Sequence, residues 1–131
     1  MAGERAQRSE VDVAIVGTGF SGLGMAIRMR QEGFEDFVVL ERAGDVGGTW
    51  HFNTYPGCAC DIPSHLYSFS FERKYDWSRA YATQPEILDY FEQFATKYGL
   101  EHHLRLESGA RRVVWSDADA RWTVSTDADT Y

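Results

Sequence analysis

The stretch VDVAIVGTGFSGLG, residues 11–24, constrains the fold more than any other part of this chain. Its first six residues are mostly apolar and β-branched, the pattern of a strand covered on both faces. Four glycines follow, at Gly17, Gly19, Gly22 and Gly24. Ordered glycine costs conformational entropy, so the cluster needs a physical reason. Residues 21–31 supply the context: Leu23, Met25, Ala26, Ile27 and Met29 recur as on a helix that ends near Gly33. FVVLE, residues 37–41, reads as a second buried strand. Strand, helix and strand within about thirty residues form a βαβ unit, and the glycines sit at its first turn.

Such a turn holds a dinucleotide pyrophosphate on the helix N-terminus, which makes the fold class α/β with a Rossmann-like start. Gly17 permits the tight turn, Gly19 lets a phosphate approach the backbone, and Gly22 lets helix and strand pack closely. The amides of Phe20 and Ser21 then point at the anion, aided by the helix dipole. Glu41 stands nineteen residues after Gly22, the spacing of a ribose-binding acid. A carboxylate there accepts ribose hydroxyls and repels a 2′-phosphate, favouring FAD or NAD over NADP, although Arg42 beside it softens that exclusion. The competing reading of Glu41 is a solvated acid at a strand end. Gly47 and Gly48 come soon after, and an acid followed by a Gly-Gly pair favours FAD.

The remainder is organised around this unit. Residues 43–82 are rich in Gly, Pro, Asn, Ser and aromatics and read as a long ordered loop with short helical turns, a kind of segment that is often functional. Residues 84–98 are helical, with Ile87, Leu88, Phe91, Phe94, Ala95 and Tyr98 on one face. Thr83 and Glu86 have capping-box spacing, and Gly99 is placed as a C-terminal cap. RRVVW and RWTVS, separated by SDADA, read as a hairpin, and TDADT near the end as a further turn. Residues 1–10 are polar, lack a signal-peptide core and read as a flexible N-terminus; residues 11–131 form the domain.

Composition bounds the function. In 131 residues, 44% hydrophobic and 15% aromatic content suffices for one core. A net charge of −7 with no basic stripe argues against nucleic acid as a partner. No apolar run is long enough to span a bilayer, so the chain reads as a soluble, cytoplasmic protein with no transmembrane segment. Cys58 and Cys60 are too close for an unstrained bridge and read as reduced thiols in a loop. His51, His65, His102 and His103 show no acid–base partner by spacing and read as structural or solvated, and Arg111 and Arg112 as a solvated strand face. No metal site is indicated.

GTGFSGLG, then GGTWHFNTYPGCACDIPSHLYSFSF at 47–71, then WSRAYATQPEILDYF together resemble the N-terminal, FAD-binding part of a Baeyer–Villiger-type flavin monooxygenase. The resemblance runs from about Val11 to the end of the chain, and its most specific part is the YPG…CD…PSHLYSFSF segment. It implies one FAD, reduction by NADPH, dioxygen as co-substrate, and a peroxyflavin that inserts oxygen into a ketone or oxidises a soft heteroatom. It places Gly17, Gly19, Phe20, Ser21 and Gly22 at the pyrophosphate, Glu41 at the adenosine ribose, and Gly48, Thr49, Trp50 and Tyr67 along the flavin side. Asp61 matches the acid that positions a catalytic arginine and the nicotinamide. The competing readings are ordinary core aromatics for Trp50 and Tyr67, evenly matched for Trp50, and a turn former for Asp61. The family's arginine, its NADPH domain and the strands that complete the FAD sheet have no counterpart in these residues, so the expectation is an N-terminal piece, inactive alone. The alternatives are an isolated nucleotide-binding or non-functional fragment, or another two-dinucleotide-domain flavoprotein oxidoreductase such as a disulfide reductase.

Overall fold

A computed structural model describes residues 7–131. The first described residues form β1 (Gln7–Arg8), so the stretch read as a flexible N-terminus includes a short strand; residues 1–6 lie outside the described part. β2 (Val13–Val16), α1 (Phe20–Gln31) and β3 (Phe37–Leu40) form the expected βαβ unit. β2 and β3 pair in parallel, with Val13 opposite Phe37 and Val16 opposite Leu40. β4 (Leu104–Arg105) then pairs in parallel with β3, giving a three-stranded sheet in the order β2-β3-β4.

That order explains one correction. β3 is central and all four of its residues are buried, whereas β2 is an edge strand with Val13 37% and Val16 58% exposed. The reading of residues 11–16 as a strand covered on both faces therefore holds only in part. Ile15 enters the main core on one face and Ala14 packs against Val38, Leu40 and Val124 on the other, but the open edge leaves Val13 and Val16 exposed.

Residues 43–82 are ordered as expected, with a one-turn helix α2 (Thr49–Phe52) and a 3-10 turn at Ser64–Leu66. An isolated bridge between Ala59 and Thr83 leads the loop into α3 (Gln84–Lys97). Thr83 is the N-cap of α3, but the anticipated capping box does not form: the Thr83 side chain makes no capping bond. Glu86 instead accepts the backbone N–H and hydroxyl of Ser78, each at 2.8 Å, so its carboxylate anchors the loop rather than the helix end. At the other end, Gly99 has φ +62°, and the bonds Gly99 N–H to Thr96 O and Leu100 N–H to Ala95 O close a Schellman cap.

The core lies between α1, α3 and the loop. Leu23, Ala26 and Ile27 of α1 and Ile87 and Phe91 of α3 are all fully buried. Phe20, Phe69, Tyr90 and Phe94 interlock around Phe91, mostly edge-on or tilted, as aromatic quadrupoles prefer. Tyr90 accepts the N–H of Phe69 at 2.8 Å and donates to the carbonyl of Glu72 at 2.7 Å, and burial pushes its phenol up to about 12.

β5 (Arg112–Ser116) and β6 (Arg121–Ser125) form the expected antiparallel hairpin. The TDADT stretch is more than a turn: β7 (Asp129–Thr130) pairs antiparallel with β6 and parallel with β1, so the second sheet runs β1-β7-β6-β5. No described helix is long and apolar enough to cross a membrane.

Candidate nucleotide site

The site begins where β2 gives way to α1. Gly17 has φ +92°, a conformation few other residues adopt, and its N–H bonds the carbonyl of Leu40 at 2.8 Å. The chain can therefore leave β2 while staying tied to β3. Gly22, one turn into α1, faces back on this bend: a Cβ there would stand 1.9 Å from the Gly17 carbonyl oxygen. Helix and strand meet at a distance only glycine allows.

Gly19 is the N-cap of α1 and carries no side-chain cap. The first intrahelical bond runs from Leu23 N–H to Gly19 O at 3.0 Å. The N–H groups of Phe20, Ser21 and Gly22 thus have no acceptor inside the helix and point out at its positive end. A Cβ on Gly19 would meet only the Cα of Gly48, at 3.9 Å.

The Gly47–Gly48 turn is brought directly opposite. Gly47 N–H donates to the Thr18 carbonyl at 3.1 Å, and Gly48, at φ +54°, caps α2. A Cβ on Gly48 would lie 2.8 Å from the Cα of Gly19. The two glycine motifs, some thirty residues apart in sequence, therefore form two facing backbone walls.

Glu41 follows β3 and is only 3% exposed, which excludes a solvated acid. Thr18 donates its N–H (2.9 Å) and its hydroxyl (2.5 Å) to Oε2, and Ala43 donates its N–H to Oε1 at 2.8 Å. Thr18 itself is fully buried. Arg42 is exposed and stands over the ring of Phe52 at 4.5 Å.

The remaining candidates lie around α2. Ser21 and Thr49 are exposed. Trp50 is 8% exposed, belongs to the core and donates Nε1–H to the Tyr67 hydroxyl at 3.0 Å. Tyr67 is partly buried edge-on to Phe20, and burial raises its phenol, an effect the Trp50 bond opposes. Asp61 is exposed in a bend, and among the described residues its carboxylate makes no hydrogen bond or ion pair. The turn-forming bond is instead Ile62 N–H to the Sγ of Cys60, at 3.4 Å. Cys58 and Cys60 are both free and buried in the core.

Two residues of this arrangement escape a reading of the sequence. Thr18 shows its role only through contact with a carboxylate twenty-three positions away. Gln84 is buried and donates Nε2–H to the Trp50 carbonyl at 2.5 Å, joining α3 to the end of α2. Neither carries a distinguishing signal in sequence: Thr18 stands between two glycines and Gln84 at the first residue of a helix, where polar residues are ordinary.

The residues present fit a dinucleotide cofactor: an open strip of backbone at Gly19, free helix-terminal N–H groups, and a buried carboxylate at one flank. The chain belongs to the family described as NAD(P)-binding Rossmann-like domain, whose pattern matches residues 15–94. Within that class its likeness is to the Baeyer–Villiger monooxygenases. A Baeyer–Villiger monooxygenase of Streptomyces coelicolor is 52% identical over 126 residues, covering 96% of this chain and 24% of the relative. A cyclohexanone-bound crystal structure of cyclohexanone monooxygenase superposes with TM-score 0.89 at 34% identity, over 95% of this chain and 25% of that one. The crystal structure of OTEMO in complex with FAD and NADP gives TM-score 0.82 at 30% identity, over 92% and 24%. The chain thus spans about a quarter of the length of these relatives.

Proposed function

We propose that this chain is the FAD-binding part of an NADPH-dependent flavin monooxygenase that acts on a ketone or a soft heteroatom. The observation that carries the reading is the pair of glycine walls facing each other at Gly19 and Gly48, flanked by the buried Glu41 carboxylate. The N–H groups of Phe20, Ser21 and Gly22 would hold the pyrophosphate, and Glu41 the adenosine ribose. Gly48 and Thr49 would border the cofactor on the flavin side, with Trp50 and Tyr67 as the packed wall behind them. When bound, the flavin supplies hydride acceptance from NADPH and oxygen transfer; the chain supplies orientation and exclusion of water. Asp61, exposed and without a partner among the described residues, is left free to orient a cationic side chain next to the cofactor. The relatives support this reading through what their names state: a ketone-bound cyclohexanone monooxygenase, and a complex with FAD and NADP.

The cysteines do not favour the disulfide-reductase alternative, because both thiols are packed in the core and not presented at the glycine walls. Titration of the chain with FAD, followed by flavin fluorescence, tests the proposal. Gly19→Ala should leave the thermal melt unchanged, since the added methyl makes only an ordinary contact at 3.9 Å. It should weaken FAD binding by about tenfold or more, because that methyl occupies the strip a pyrophosphate must approach. Equal FAD affinity in the two proteins would remove the pyrophosphate from this turn.

A further inference from the structure

α2 is a single turn, and a helix this short is not stable through its own bonds. Its last carbonyls have no partner inside the turn and must find one elsewhere. Thr49 O is served locally, by the N–H and the Nδ2–H of Asn53 at 3.0 and 2.8 Å. Trp50 O receives no backbone N–H among the described residues. Its donor is Gln84 Nε2–H, at 2.5 Å and thirty-four positions away.

Gln84 is itself well fixed: it is 7% exposed, and its backbone N–H donates to Cys58 O at 2.9 Å. One turn further along the same face of α3, Leu88 Cδ1 stands 2.6 Å from where a Cβ on Gly47 would be. α3 therefore backs the segment from Gly47 to Trp50, with an apolar contact at its start and a hydrogen bond at its end. The first glycine wall is anchored differently, to the parallel sheet, through Gly17 N–H to Leu40 O. Between the two walls runs the bond from Gly47 N–H to Thr18 O, and beyond it Gly47 and Gly48 turn at φ +123° and +54°. The far end of α2 is held against that turn by Gln84.

We infer that Gln84 is a positioning residue for the flavin half of the cofactor: from α3 it fixes the α2 wall at its distance from the Gly19 strip. The inference rests on the proposed FAD site and deepens it. Gln84 acts through α2. Without its amide, the buried Trp50 carbonyl loses its donor, and the turn is left to tilt about Gly47 and Gly48 until that carbonyl finds water. The adenosine and pyrophosphate contacts belong to Glu41 and to the N-terminus of α1, which the sheet holds in place independently of α3. Loss of Gln84 should therefore be felt by one half of the dinucleotide and not by the other.

Isothermal titration of the whole chain with FAD and, separately, with ADP tests this. ADP reads the first wall and Glu41; FAD reads the α2 wall as well. Gln84→Met keeps the length of the side chain and removes the donor. It should weaken FAD about tenfold, the scale of one buried hydrogen bond left unmade, and leave ADP within about twofold. The ratio of the two affinities within one protein is insensitive to the fraction folded, so a merely structural role for Gln84 would not move it. Gln84→Glu adds a pH profile. At about pH 5 a buried carboxyl is protonated and donates to the Trp50 carbonyl, so the ratio should approach that of the unmodified protein at the same pH. At about pH 8 a carboxylate faces that carbonyl instead, and the ratio should fall. An unchanged ratio in Gln84→Met, or a ratio in Gln84→Glu that ignores pH, would overturn the inference and leave the nucleotide site standing. Binding of ADP alone by the unmodified protein, or of neither ligand, would overturn the FAD site and this inference with it.

Discussion

The glycine-walled end of the parallel sheet and the flank of β2 opposite β3 are built from the same sequence stretch, yet they are finished to different degrees. At the first, every group has a role: Gly17 turns, Gly22 abuts it, Thr18 is fully buried against Glu41, and the helix N–H groups face outward. At the second, Val13 and Val16 are exposed, and across from Val16 the hairpin offers Trp115 and Trp122 at 44% and 59% exposure. A cleft of about 1240 Å³ lies between them, lined in part by Val16, Val113, Trp115, Trp122 and Tyr131. This cleft is thus not where the polar site chemistry is gathered. The difference teaches that a nucleotide turn is a local device, complete once one strand, one helix and one neighbouring strand exist. The flank of β2 leaves Val13 and Val16 open among the described residues, while Ala14 packs against the Val38, Leu40 and Val124 cluster.

Substitutions can break this contrast, and the largest effect belongs to the finished end. Gly22→Ala places a methyl 1.9 Å from the Gly17 carbonyl oxygen, a backbone atom that cannot rotate away. A stability loss of about 3 kcal/mol, measured by urea denaturation, is expected from overpacking of this kind. No loss, or the gain of about 1 kcal/mol expected for Gly→Ala at an exposed helical position, would show that the turn relaxes and is not finished after all. On the open flank, Trp122→Thr removes apolar surface that is already in water and leaves only its cross-strand partner Trp115, at a centroid distance of 5.4 Å, without contact. Its cost should stay within about 1 kcal/mol, while binding of a hydrophobic dye falls clearly. Unchanged dye fluorescence would mean that the patch is covered in solution.

The smallest effect sharpens the comparison through acid. Glu72 lies on the core side, where Lys97 and Tyr98 both donate to its carboxylate; these bonds, that of Lys97 foremost, hold it below its ordinary value near 4.5. A carboxyl lowered by folding stabilises at pH above its unfolded value, and that contribution is lost as pH falls through the lowered native value. Glu72→Gln should therefore lower the melting temperature slightly at pH 7, with the gap to the unmodified protein closing toward pH 3. A gap that widened in acid would reverse the sign and dismiss the ion pair as a brace.

How much of this was legible follows from range. The β2–α1–β3 unit, α3 and the hairpin announce themselves through periodicity and glycine placement, because the forces that form them act within a few turns. The Glu41 spacing was readable since a βαβ crossover has a nearly fixed length. β4 was not, because Leu104 and Arg105 carry no pattern of their own and become a strand only by register with Val39 and Leu40. Exposure of β2 was hidden too: apolar residues state what a strand tolerates, not what lies beside it. Glu86 had the right spacing for a cap and was drawn away by Ser78, eight residues earlier, a competition that spacing cannot reveal.

One ladder carries a consequence for how the molecule assembles. β1 and β7 join Gln7 to Asp129 and Arg8 to Thr130, with Ser9 N–H adding a bond to Thr130 O at 2.9 Å. Almost the whole described chain is the loop that this contact closes. Its entropic cost is met only after the intervening parts have compacted, so it is a late event in folding, whereas the β5–β6 hairpin needs only a four-residue connection. The seam between first and last strands is consequently where the molecule opens first under mild stress. Amide exchange in Ser9 should be fast compared with that in Val39, whose N–H is bonded to the carbonyl of His103 in the interior of the other sheet.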